Sequence, residues 1–168
     1  EEVARVAIEQ ALLHAHRYVF GVMFWFVLLP GPSGALLYWL AALLRQKWVQ
    51  PVGVLPSAFG EFAEKVFVAL EWLPVRLSAV SFAIVGNFED AVYCWRSQAT
   101  QWVSLAQGIL LSAGAGALGV RLGDPLHQGG EVFYRPELGL GDMATSEYLQ
   151  STVGLIWRAV VLWLLFIA

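Results

Sequence analysis

The chain has 168 residues, 58% of them hydrophobic and 14% charged, with a formal net charge of −3 and a mean hydropathy of +0.63. A soluble domain carries roughly 25% charged residues, so this balance excludes an ordinary soluble globule. The negative charge argues against nucleic acid, and the single cysteine, Cys94, excludes an internal disulfide. Sixteen Gly and eight Trp suit membrane helices, where small residues let backbones approach and Trp rings settle at the headgroups. The expected fold class is all-α: a polytopic integral membrane protein, a helical bundle with one Pro/Gly-broken span, whose first partner is the lipid bilayer. A single membrane domain is expected over 1–168. Because the chain starts at Glu1 and ends inside an apolar run at Ala168, it reads as the C-terminal part of a longer one.

In chain order, Arg5 and Glu9 stand four apart in an acidic helix, the spacing of a solvated i, i+4 pair, though Glu9 is also a ligand candidate. His14 and His16 point about 200° apart on a helix, so they read as surface polar residues and not as a ligand pair. Tyr18 to Leu44 is free of charge for 27 residues, about 40 Å of helix against a hydrocarbon core of about 30 Å. Pro30, Gly31, Pro32, Ser33 and Gly34 break it near the middle. Either the span kinks, or two half-helices meet in a tight re-entrant turn; the second is preferred. Gln46 to Gly60, with Pro51, Gly53, Pro56 and Gly60, reads as a short connector.

Val66 to Gly86 is long enough to span but carries Glu71 and Arg76 around Pro74. A charge at mid-bilayer costs at least roughly 2.5–3.5 kcal/mol, so these two pair, face a polar cavity, or snorkel from the interface. Asn87, Glu89 and Asp90 mark an interface, with Asp90 within reach of Arg96 and Arg121 if the segment after Val103 folds back. Ala113 to Pro125, AGAGALGVRLGDP, is too glycine-rich for an ordinary core helix. Its GAGALG resembles a dinucleotide fingerprint, but no strand precedes it, and helix packing is the better reading. Arg121 to Glu147 is the one sizeable polar excursion, the 121–147 loop. It holds a possible extended piece at Glu131 to Arg135 and is placed to cap a membrane cavity. Thr152 to Ala168 is a plain span apart from Arg158. Basic residues fall in three different connectors, so charge does not fix the orientation.

Three blocks carry a resemblance: AIEQALLHAHRYVFGVMFWFVLLPGPSGALLYWL, LEWLPVRLSAVSFAIVG, and SAGAGALGVRLGDP with the loop that follows. They resemble the membrane family that includes CobD/CbiB, the adenosylcobinamide-phosphate synthases, and the related AmpE proteins. The resemblance implies a bacterial inner-membrane protein and ATP-dependent amide formation between a corrinoid carboxylate and an aminopropanol, with Mg²⁺ and ATP. Where the synthases bear Glu-Ser-x-x-Glu-Asn-x-x-Asp, this chain has Glu9, Leu13, His14 and Arg17. Where they bear Asn-Thr-Leu-Asp, it has Ala42 to Arg45. Their Ser-Pro-Asn-Ala-Gly falls on Ser104 to Gly108 with Pro and Asn gone.

Lost carboxylates on a kept frame point to a diverged, AmpE-like member with a regulatory or accessory role, without synthase activity, cofactor or metal. The alternatives are a working synthase and a structural subunit of a larger membrane complex. Catalytic residues are not assigned. The ligand candidates, for an anionic or corrinoid ligand, are Glu9, Arg76, Asp90 and Arg121. Arg76 and Arg121 lead because a guanidinium offers five donors to phosphate or carboxylate; structural pairing with Glu71 and Asp124 is the alternative.

Overall fold

The computed structural model describes residues 1–48 and 58–168, so most of the connector expected over Gln46 to Gly60 lies outside the described residues. It is all-α in its framework, as the composition requires. Helices α1 (Glu2–Ala15) and α2 (Gly21–Leu28) are joined without a break by a π-type turn, His16–Phe20. After Leu29 to Pro32 the chain reverses into α3 (Ser33–Trp48). Then follow α4 (Ala58–Val85), α5 (Phe88–Gln98), α6 (Leu105–Leu118) and α7 (Ser146–Ile167). Among the described residues, three helical stretches, Glu2–Leu28, Ala58–Val85 and Ser146–Ile167, are long and apolar enough to cross a membrane.

The broken span of the sequence is a hairpin of two helices, as preferred, but its first arm begins at Glu2 instead of Tyr18. Glycines set how closely the arms approach. A Cβ on Gly21 would meet the Tyr38 ring, and one on Gly34 would overlap the Trp25 carbonyl. Gly31, with φ +75°, makes the turn between the prolines.

Pro74 lies inside α4 and does not start a new helix. Lacking an N–H, it frees the carbonyl of Leu70 four residues back, which in an apolar medium needs another donor. Trp25 Nε1 donates to that carbonyl at 3.2 Å, so the proline becomes the point where α2 is fastened to α4. Trp163 Nε1 of α7 donates to Ser81 Oγ at 2.7 Å, and Ser81 Oγ in turn donates to Leu77 O. Arg158, near the middle of α7, donates to Val85 O at the end of α4 and so caps a neighbouring helix.

Helix α6 is apolar all round and accordingly central, with every residue from Gly108 to Ala117 buried. Its glycines are a packing surface, as expected. A Cβ on Gly116 would sit 2.5 Å from the Asp90 carbonyl oxygen of α5, and one on Gly114 would sit 2.7 Å from a Leu12 methyl of α1. Gly119 (φ +67°) ends the helix in the left-handed conformation.

The polar excursion is built of short strand pairs. Val120–Arg121 (β1) runs parallel to Asp142–Met143 (β4), while Leu126–Gln128 (β2) and Glu131–Phe133 (β3) form a hairpin turned by Gly129 and Gly130. The extended piece expected at Glu131 to Arg135 is β3, two residues shorter.

Two substitutions separate these packing arguments. G116A should lower stability by about 1–3 kcal/mol, because the obstacle is backbone. G114A should stay within about 1 kcal/mol, its helix-propensity gain offsetting the shift of one methyl. Thermal unfolding in detergent reads both. Likewise W25F should cost about 1–2 kcal/mol by orphaning the Leu70 carbonyl, and less in a P74A background, where residue 74 regains its N–H.

Candidate functional site

Two polar clusters lie within the helical frame. The first joins α1 to the loop after α6. Glu9 is only 3% exposed. Its carboxylate accepts the Gly123 N–H at 2.9 Å and the Arg135 guanidinium at 2.7 and 3.3 Å. The expected solvated Arg5–Glu9 pair is therefore not formed. Arg5, also buried, donates to the Pro125 carbonyl at 3.0 Å and pairs with Asp124 at 3.4 Å. Arg135 donates further to Gly123 O and Asp124 O, and lies 5.4 Å from the centre of the Trp102 ring.

These contacts answer a local problem. Gly123 and Asp124 are both left-handed (φ +80° and +60°), a fold of the backbone that turns consecutive carbonyls away from regular pairing. The two arginines supply the missing donors, and Glu9 supplies the acceptor for the one N–H. Sequence reasoning named Glu9 but missed Arg135, whose partner lies 126 residues away.

The second cluster lines a cavity of ≈ 140 Å³ among α1, the π-type turn, α3, α4 and α6. Gln10, His14, His16, Arg17, Arg45, Glu71 and Gln107 supply its polar wall, and Leu13 and Ala106 part of the rest. His16 is buried, not a surface residue, because the π-type turn rotates it toward α4. Its Nδ1 meets Ser78 Oγ at 2.9 Å and its Nε2 lies 3.4 Å from Glu71. Arg45 forks onto Glu64 at 2.7 and 3.2 Å and lies 4.8 Å from the centre of the Phe67 ring. Gln107 accepts from Trp102 Nε1 at 3.3 Å through its carbonyl oxygen, which leaves its NH₂ to donate.

Of the four ligand candidates, none lines this cavity. Arg76 does not pair with Glu71; it lies over the Trp72 ring at 4.2 Å and donates to Trp72 O. Arg121 pairs with Glu137 at 3.4 Å and not with Asp124. Asp90 meets neither Arg96 nor Arg121; it accepts from Asn87 Nδ2 at 2.7 Å, and its N–H donates to Asn87 Oδ1 at the start of α5. Glu9 belongs to the loop anchor. What the structure does bring together are five of the departures from the synthase pattern: Leu13, His14, Arg17, Arg45 and Ala106 line the one cavity, whereas Ala42, Leu43, Leu44 and Leu105 do not.

That lining does not fit a hard divalent cation. Mg²⁺ takes carboxylate oxygens and waters, but Glu71 is the cavity's single acid and the Glu9 oxygens are occupied by donors. No group of three or more His, Cys, Asp or Glu suited to a metal occurs among the described residues.

The loop anchor carries a direct prediction. R135M leaves the Glu9 carboxylate buried without its main partner and should destabilise the protein by about 3–5 kcal/mol. A thermal or denaturant unfolding series in detergent, with the exposed R96M as control, measures it.

A family model described as CobD/Cbib protein matches residues 1–156. A protein described as cobalamin biosynthesis protein CobD from Stutzerimonas stutzeri is 38% identical over 168 residues, covering 98% of this chain and 54% of its own length. Its namesake from Chromobacterium violaceum is 38% identical over 161 residues, covering 96% and 51% respectively. The chain thus spans about half the length of these curated relatives, and no solved structure matches it. These names favour the synthase alternative over the accessory role, and give the AmpE likeness no support. With three membrane-length apolar helices around a buried polar site and a family match over nearly its whole length, the chain belongs to the CobD/CbiB family.

Proposed function

We propose that the protein works in cobalamin biosynthesis at a bacterial inner membrane, in the ATP-dependent joining of a corrinoid carboxylate to an aminopropanol that the family resemblance implies. The observation that carries this reading is the 38% identity, over nearly the whole chain, to two proteins described as cobalamin biosynthesis protein CobD. The geometry is compatible with such work. A polar cavity among apolar helices keeps charged groups of a substrate out of lipid, and the anchored loop beside α1 holds one wall of the frame rigid. No step is drawn through Mg²⁺, because the described donor set does not hold it.

One observation favours a second reading, an accessory or regulatory member of the family. Five of the positions that depart from the synthase pattern, Leu13, His14, Arg17, Arg45 and Ala106, line the cavity, and two of them, Arg17 and Arg45, replace acids by bases. Complementation separates the two. Expressed from its gene in a bacterium that lacks its own CobD, the protein restores growth under cobalamin-dependent conditions if the biosynthetic reading is right. Growth failure with normal membrane levels of the protein contradicts it and leaves the accessory role.

A further inference from the structure

We infer that the face where the end of α4 meets α7 binds an anionic phospholipid, with its phosphate on Arg158 and one acyl chain in the groove that runs from there between the two helices. Arg158 is exposed near the middle of α7. Its Nε donates to Gly154 O at 3.2 Å and its Nη1 to Val85 O at 3.0 Å, which leaves further N–H groups of the fork to donate. Among the described residues it has no ion-pair partner. A guanidinium exposed on a membrane-spanning helix is costly unless it reaches water or an anion at the headgroups.

Two helices fix the depth at which that charge sits. The α4 helix ends at Val85, and the exposed polar residues Asn87 and Glu89 follow at once, so the bilayer surface crosses the protein at this level. The bond to Val85 O places the Arg158 guanidinium there too, with the exposed ring of Trp157 next to it, a residue type favoured at headgroups. From Arg158, α7 runs back along α4, with Trp163 reaching Ser81. The rise to Ile167 is about 14 Å, close to half of a hydrocarbon core of about 30 Å and so to the depth of one leaflet. Along that length lies an apolar groove in two stretches that share Leu162. One, of ≈ 400 Å³, lies beside Val161 and Leu165, and the other, of ≈ 380 Å³, beside Val80, Ile84 and Phe166. Ser81 and Trp163 also line the second, but the indole donates to the hydroxyl and the hydroxyl to Leu77 O. A groove whose polar groups are engaged takes an alkyl chain, and a cation at its headgroup end takes a phosphate, whose oxygens match the guanidinium fork. A second apolar helix would fill the groove but leave the charge unmet.

The inference goes beyond the biosynthetic reading and is measured on binding alone, so the two can fail separately. Delipidated protein in detergent is titrated with dioleoyl phosphatidylglycerol or dioleoyl phosphatidylethanolamine and followed by native mass spectrometry. A saturable adduct of one phosphatidylglycerol is expected, about fivefold or more tighter than that of phosphatidylethanolamine. R158Q should weaken it about tenfold, and R158K by less, because the charge stays while the fork is lost. L162W, which fills the groove and keeps the charge, should weaken it about threefold or more. K65Q, exposed on the other half of α4, should bind as the wild type does. Should R158Q fail to fold, R158K and L162W give the same reading. Absence of a saturable adduct, unchanged binding by R158Q or L162W, equal affinity for the two lipids, displacement of the lipid by glycerol 3-phosphate, or a dimer that excludes lipid overturns the inference.

Discussion

A buried carboxylate that needs three donors governs how this molecule is put together. Glu9 sits in the first helix, and the groups that neutralise it, Gly123 N–H and Arg135, come from the loop that follows the central α6. Burying that charge alone would cost several kcal/mol, so α1 and the loop are obliged to meet. Once they do, Leu12 packs against Gly114, Ile8 and Leu12 join the main core, and α1 is held alongside α7. The same contact fixes the rotation of the helix. Glu9 faces the loop, while Gln10, Leu13 and His14 of the same helix line the cavity.

The rotation is then sharpened by the π-type turn. One extra residue in the turn at His16–Phe20 shifts the register between α1 and α2. His16 is thereby buried against Ser78 and Glu71, while Gly21 still meets Tyr38 in the hairpin. Anchor, turn and cavity are therefore one device: the apolar frame supplies burial, and the few charges left in it decide where the helices stop turning. A proline, normally a defect in a helix, is used in the same economical way, its freed carbonyl receiving the indole of Trp25.

Much of this was legible in the residues. Hydropathy marked the spans, and Pro30 to Gly34 marked the hairpin, because a Pro-Gly-Pro run, unlike a single proline, does not continue a helix. The glycines of α6 announced close packing. What stayed hidden were contacts over long sequence distance. Nothing local in Glu9 announces Arg135, and i, i+4 spacing suggested Arg5 instead, since a helix always offers its own neighbours first. His14 and His16 were both read as surface residues; His14 is exposed while bordering the cavity, and only His16, at the π-type turn, is buried. The family pattern fared differently. The departures at Leu13, His14, Arg17, Arg45 and Ala106 were visible one by one, but only the fold shows that they share a wall. Arg76 and Arg121, preferred as ligands for their guanidinium groups, are engaged by Trp72 and Glu137.

The central claim is that the Glu9 carboxylate holds the loop to the helical frame. Hydrogen–deuterium exchange of the amides from Gly119 to Met143, compared between wild type and E9Q in detergent, tests it most directly. The account predicts that Gly123 and its neighbours exchange at least tenfold faster in E9Q while α4 and α6 keep their protection. Unchanged protection of the loop in a folded E9Q protein would contradict it.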